Sequence, residues 1–268
     1  MNALRGAALF LLQLVATPVF ALLMVLATPF GGARVFALAQ RWCALMVQGA
    51  RLLGMRYQVE FEGNGMPAGP AVILAKHSSS WETFYIVAYF PRLVPVIKRE
   101  LLRMPFFGWG IGLCQPIALD RSSPREARNE LQEQGIDRLK QGLWVMIFPE
   151  GTRIPFGYRG RYASGGAGLA IAAGVPVVAM AHDAGHFWRK PVFDKSGGII
   201  RVRISAPMFA AASESAAGLS RRAEEWIERQ IEDFGYPPAE ATAKPRARAG
   251  DTSAPGANRP TKAPQDAG

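Results

Sequence analysis

The sequence predicts an α/β domain, a mixed and largely parallel sheet of about seven strands flanked by helices, behind an N-terminal membrane-associated helical segment. Three observations predict it. Seven short apolar runs recur along the chain, several without clean alternation, as strands covered on both faces read. Helix-like stretches separate them, which is the α/β signature. From Gly6 to Ala33 there is no charged residue at all.

Taken in order, Ala7 to Phe30 is almost wholly apolar and exceeds the ~20 residues that a membrane span needs. Its length is beyond the h-region of a signal peptide, so an anchor is expected. Pro18 and Pro29 interrupt the run, leaving a straight span and a kinked, re-entrant helix both open. Phe36 to Leu53 mixes Arg41 and Arg51 with Trp42, Leu45, Met46 and Leu52, which suits either an interfacial amphipathic helix or a core-packing one. Arg34, Arg41, Arg51 and Arg56 all follow the apolar run. This positive-inside bias predicts a bacterial-type cytoplasmic membrane with the remaining chain on the cytoplasmic side.

The expected strands are Tyr57 to Phe61, Ala71 to Ala75, Leu93 to Ile97, Gln115 to Leu119, Leu143 to Phe148, Val175 to Ala181 and Ile199 to Ile204. Ser123-Pro124-Arg125-Glu126 reads as a capping box with proline at the first helical position, starting a helix to about Lys140. Gly165 to Gly174 reads as a small-residue helix, and Ser220 to Phe234 as an amphipathic one with Trp226, Ile227 and Ile231 on one side. From Pro237 the chain lacks large apolar residues, which predicts a disordered basic tail. The expected organisation is therefore an anchor over 1–56, a catalytic α/β domain over 57–236 and a tail over 237–268.

A chain of 268 residues with 49% hydrophobic residues can bury one sizeable core. The formal net charge of +10 favours anionic partners without choosing between lipid headgroups, phosphorylated substrates and nucleic acid. The two cysteines, Cys43 and Cys114, form no CxxC pair and lie near no histidine, so neither a disulfide framework nor a thiolate metal site is expected. His182 and His186 are four apart, but Gly185 and the lack of further ligands argue against a metal.

Two runs carry the chemistry. His77-Ser78-Ser79-Ser80-Trp81-Glu82 follows an apolar strand and sets an imidazole five positions before a carboxylate. That carboxylate can orient the ring and make it a better proton acceptor, the arrangement that hydroxyl deprotonation needs. Phe148-Pro149-Glu150-Gly151-Thr152-Arg153 follows another strand and puts an acid and an arginine in a loop, where binding groups sit. No G-x-S-x-G elbow is present, so a nucleophilic serine is not indicated, and Ser78 to Ser80 are expected to cap a helix. Together the runs point to acyl transfer onto an alcohol that carries a phosphate.

The order His77-x4-Glu82, Leu119-Asp120-Arg121, Phe148-Pro149-Glu150-Gly151-Thr152-Arg153 and Val175-Pro176-Val177-Val178 resembles the four blocks of the 1-acylglycerol-3-phosphate acyltransferases. The resemblance covers roughly Tyr57 to Arg203 and includes Lys98-Arg99-Glu100-Leu101 with Pro105 and Gly108. Glu82 stands where the family usually has Asp, and Lys76 where Asn is commoner. The resemblance implies a glycerolipid acyltransferase-like fold. It also implies His77 as general base on the sn-2 hydroxyl of lysophosphatidate, with Glu82 orienting it. Arg121, Arg153 and Lys98 would hold the phosphate, Glu150 would position the glycerol, and backbone N–H groups at Gly151 and Thr152 would add anion contacts. The donor would be an acyl thioester, acyl-CoA or acyl-carrier protein, with no cofactor and no metal. The partners would be a bilayer and the substrates, with acyl-carrier protein a further one and no nucleic acid. Another lyso-lipid acceptor, such as a lyso-ornithine lipid, and a non-catalytic anion-binding protein are the alternatives. Trp81, Phe106, Phe107 and Trp109 read equally as acyl-groove, bilayer or core residues.

Overall fold

In the computed structural model, which describes residues 1–63, 65–236 and 240–241, the chain opens with two antiparallel helices. Helix α1 (Asn2–Ala27) runs into a 3-10 turn over Thr28–Phe30, and α2 (Gly32–Leu52) returns. Gly31 makes the reversal with φ +96°, a conformation that glycine adopts without a steric penalty. Pro18 lies inside α1 without ending it.

The strands are β1 (Met55–Phe61), β2 (Val72–Ala75), β3 (Leu93–Lys98), β4 (Ile117–Leu119), β5 (Trp144–Ile147), β6 (Tyr158–Arg159), β7 (Val177–His182), β8 (Gly198–Ile204) and β9 (Glu240–Ala241). Seven of them form one sheet in the order β1-β8-β7-β2-β5-β3-β4. All neighbours are parallel except β7 and β8, so the sheet is mixed and largely parallel as expected. Every residue of the central strands β2, β5 and β7 is buried, which is why these runs do not alternate in sequence. Successive residues feed opposite layers. Val72 and Leu74 join the core under α5 (Pro124–Lys140), α6 (Gly165–Ala173) and α8 (Ala216–Asp233), whereas Ile73 and Ala75 join the core under α2 and α3 (Trp81–Tyr89).

The two remaining helices, α4 (Phe107–Leu113) and α7 (Ala184–Phe187), are short. Helix α8 starts at Ala216, four residues before the expected Ser220, because the Ser215 hydroxyl accepts from the Gly218 N–H at 3.1 Å and caps it. Helix α5 spans the expected residues behind Pro124, but the capping box is not formed: the Ser123 side chain makes no cap hydrogen bond. Of the expected tail, Glu240–Ala241 pairs parallel with Tyr158–Arg159, and the other positions lie outside the described residues.

Helix α2 takes the core-packing alternative, burying Val35, Phe36, Ala39, Cys43, Met46, Val47 and Ala50. Helix α1 is long and apolar enough to cross a membrane, yet both of its ends rest on the domain. Near its start the Arg5 guanidinium donates to the Leu53 carbonyl at 2.8 Å, and Gly6 lies against the Phe193 backbone so closely that a Cβ there would be 2.5 Å from its Cα. Near its end, Ala21 and Met24 meet Gly110 of α4. The outer face presents Phe10, Leu11, Leu14, Val15, Val19, Leu22, Leu23 and Leu26 to the surroundings.

Candidate active site

A parallel sheet sends the C-terminal ends of its strands to one edge, where α/β folds place their ligand crevices. Each functional block follows directly on such an end: His77 on β2, Lys98 at the end of β3, Arg121 on β4 and Phe148 to Arg153 on β5. Segments far apart in sequence meet there because β2, β5, β3 and β4 are neighbours in that order.

The imidazole and the carboxylate of the first run pair as the spacing predicts. His77 Nδ1 lies 2.9 Å from Glu82 Oε1. Glu82 is fully buried at the start of α3, and its Oε1 also accepts from the Ser78 and Ser79 N–H groups at 3.0 and 2.8 Å. The Ser79 hydroxyl donates to Oε2 and accepts from the Trp81 N–H. Burial opposes ionisation of Glu82, but the nearby His182 and His77 rings and the Ser79 hydroxyl outweigh it and hold the carboxyl well below the usual carboxylate range. An ionised acceptor at Nδ1 fixes the ring hydrogen there and leaves Nε2 as a free proton acceptor.

The Phe148-to-Arg153 block closes around His77 from the other side. The imidazole stacks on Phe148 with ring centroids 3.9 Å apart. The His77 N–H donates to Glu150 Oε2 at 2.8 Å, and its carbonyl accepts from the Ile154 N–H at 2.8 Å. Two expected roles change here. The Glu150 side chain is fully buried and does not line the cavity, so it braces the His77 backbone and is not placed to reach a glycerol there. The Gly151 N–H is taken by the Phe148 carbonyl at 2.9 Å, which removes it from anion binding. Gly151 sits at φ +67° with its carbonyl accepting from Arg121. Gly151→Ala is therefore expected to lower stability by about 1–3 kcal/mol, checked by denaturant titration.

A cavity of about 880 Å³ opens on His77. Lys98, Arg121, Thr152 and Arg153 line it, as does Lys190, which sequence reasoning missed. Lys190 belongs to a loop after α7 that no motif marks, so only the fold brings it to the site. The other walls are apolar: Phe20, Ala21 and Met24 of α1, Phe36 and Trp42 of α2, Phe84 of α3, and Phe106, Phe107 and Ile111 at α4. Phe106 and Phe107 are thus cavity residues, Trp81 is buried core and Trp109 is half-exposed. A cavity lined by an imidazole, four cations and a long set of apolar side chains fits an amphiphile with an anionic head.

An acyltransferase family model matches residues 57–183. A 1-acyl-sn-glycerol-3-phosphate acyltransferase of Pseudomonas aeruginosa is 44% identical over 205 residues, covering 75% of this chain and 79% of that one. The chain belongs to the 1-acyl-sn-glycerol-3-phosphate acyltransferase family. More distant members include the Cocos nucifera enzyme, 28% identical over 78% of this chain and 68% of its own, and the human alpha form, 31% identical over 59% and 56%. The crystal structure of the Thermotoga maritima acyltransferase PlsC shares the fold, with a TM-score of 0.74 over 88% of this chain and 97% of that one at 20% identity.

In this acyltransferase the His182 and His186 pair is accounted for by hydrogen bonds and packing. His182 Nε2 lies 2.8 Å from the Lys76 carbonyl, and its Nδ1 accepts from the Ala184 N–H. His186 packs on Phe156 and Tyr236. Cys114 is buried and burial pushes its thiol up to about 12, so iodoacetamide at pH 8 is expected to leave it unmodified in the folded enzyme, as mass spectrometry would read.

Proposed function

We propose that the enzyme transfers an acyl chain from a thioester, acyl-CoA or acyl-carrier protein, to the sn-2 hydroxyl of 1-acyl-sn-glycerol 3-phosphate, giving phosphatidate. His77 Nε2 takes the hydroxyl proton as the oxygen attacks the thioester carbon. Glu82 holds the ring and stabilises the imidazolium that forms, which then returns its proton to the departing thiolate. Arg121 and Arg153 hold the phosphate, guanidinium groups matching phosphate oxygens in pairs, and Lys98 adds charge. The acyl chains occupy the apolar chamber. One observation carries this reading: the carboxylate-held imidazole and the cations Lys98, Arg121 and Arg153 line the same cavity.

The test is acyl transfer by purified membranes, comparing wild type with His77→Ala and lysophosphatidate with monoacylglycerol. Wild-type phosphatidate formation is expected, lost by about 10²–10⁴-fold in His77→Ala and weak without the phosphate. No transfer to lysophosphatidate with either donor would overturn the assignment.

We also propose that the enzyme sits on the cytoplasmic face of the inner membrane with α1 embedded sideways in one leaflet. Support comes from α1 being packed on the domain at both ends while its outer face is apolar, the pattern of a monotopic element. A tag before Met1 is then expected to stay protease-accessible from the cytoplasmic side, whereas a span would place it opposite.

A further inference from the structure

Lys76 precedes the catalytic base and is 1% exposed. A lysine is buried this deeply only when paired. Its Nζ lies 2.7 Å from Glu228 Oε1 on α8 and 3.6 Å from Glu150 Oε1. The Tyr162 hydroxyl reaches the same Glu228 oxygen at 3.3 Å. Lys76 is also clamped along its backbone: its N–H donates to the Met180 carbonyl at 3.2 Å, and its own carbonyl bonds His182 at 2.8 Å. Nothing in this cluster lines the substrate cavity, so the acyl-transfer chemistry leaves it without a task.

The connection to the base runs through Glu150. Its Oε1 faces the Lys76 ammonium and the Gly160 N–H, while its Oε2 accepts from the His77 N–H. Two carboxylates and one ammonium share a water-poor space, and an ionised carboxylate there is stable only beside a positive charge. Without Lys76, Glu150 either takes up a proton or turns away from Glu228, and both weaken its hold on the His77 backbone.

We propose that Lys76 is a positioning residue for the base, holding the Glu150 carboxylate in the charge state and place in which it fixes the His77 backbone, with Glu228 tying this device to the C-terminal helix. The inference rests on His77 being the base. It predicts that the Lys76 ammonium governs the chemical step through a residue that touches no substrate.

The experiment compares Lys76→Met in the wild-type and Glu150→Gln backgrounds, measuring kcat and KM for lysophosphatidate per folded molecule. Misplacing a catalytic group by about 1 Å costs up to about 10²-fold. Lys76→Met is therefore expected to lower kcat about 10–100-fold with KM changed less than about twofold. In the Glu150→Gln background, where no second carboxylate needs balancing, the same change is expected to lower kcat less than about threefold, a coupling that a merely structural pair would not produce. Equal losses in both backgrounds, or wild-type kcat in the single variant, would overturn the proposal. Lys76→Gln, which keeps a donor and drops the charge, replaces the methionine variant if that fails to fold. Amide hydrogen exchange over the 76–80 peptide needs no substrate: about one additional fast-exchanging amide is expected in the variant, and unchanged protection would also overturn the proposal. An inactive wild type would sink the acyl-transfer reading alone, leaving exchange to decide the role of Lys76.

Discussion

Glu82→Gln is expected to lower kcat by about 10–100-fold while leaving the lysophosphatidate KM nearly unchanged. The carboxylate accepts from four donors: His77 Nδ1–H, the Ser78 and Ser79 N–H groups and the Ser79 hydroxyl. A glutamine offers one acceptor oxygen and an NH₂ group. His77 Nδ1–H and both serine amides share Oε1, so the glutamine oxygen takes that place and the NH₂ falls beside the Ser79 hydroxyl, with the ring hydrogen still on Nδ1. What is lost is the negative charge beside the imidazolium that forms when Nε2 takes the hydroxyl proton, and a hydrogen bond to a charged group contributes about 1.5–3 kcal/mol against about 1 for a neutral one. Since the residue touches no substrate, the loss falls on kcat, and a variant with wild-type kcat would refute the argument from charge. Stability follows the same group. The folded-state value of Glu82 lies below its ordinary 4.5, so its ionised form adds stability above that pH and loses it as pH falls toward the folded value. The Tm gap between wild type and Glu82→Gln is therefore expected to be full at pH 7 and to narrow below about pH 4.5.

What was legible in the sequence is what short-range pattern encodes. The seven main strands were readable because buried strands in a parallel sheet are continuous apolar runs, and each lies within two residues of its expected bounds at either end. The His77–Glu82 pair was readable because a five-residue separation across a helix start brings the two together locally. The placement of the Glu150 side chain was not legible, for the opposite reason: its motif fixes the turn, but the direction of the side chain depends on Lys76, Gly160 and Glu228, contributed by three other segments. Lys190 and the α1 wall of the cavity were hidden in the same way. The capping box failed because Ser123 sits at φ −114°, ψ 95° without turning its hydroxyl to the helix, so a sequence pattern for a cap gave the boundary and not the bond. Helix α2 showed that two arginines among apolar residues do not specify interface over core, since a partner helix decides which face is covered.

Removing residues 2–30 is expected to abolish transfer, by at least about 100-fold in kcat/KM, even in detergent and with short acyl donors. Membrane attachment alone would not require this, because dispersed substrates reach an unanchored domain. The difference lies in what α1 covers. Phe20, Ala21 and Met24 form one wall of the cavity on which His77 opens, and Leu9 and Met24 are 3% and 4% exposed within the two cores. Burying each such side chain contributes about 1.5–3 kcal/mol, so these two alone supply a large part of the 5–15 kcal/mol by which a domain is stable. The truncated enzyme would lose both the chamber for the acyl chain and much of its stability, read as transfer and as Tm. A second variant separates wall from anchor: Leu14→Gln, Val15→Gln and Leu22→Gln change only residues that are at least half-exposed on the outer face. That triple variant is expected to leave the membrane fraction yet keep its detergent kcat within about threefold, since a few exposed positions change stability little. A truncated enzyme that turned over normally in detergent would reduce α1 to an anchor, and would leave the apolar end of the cavity without a reason to be built from it.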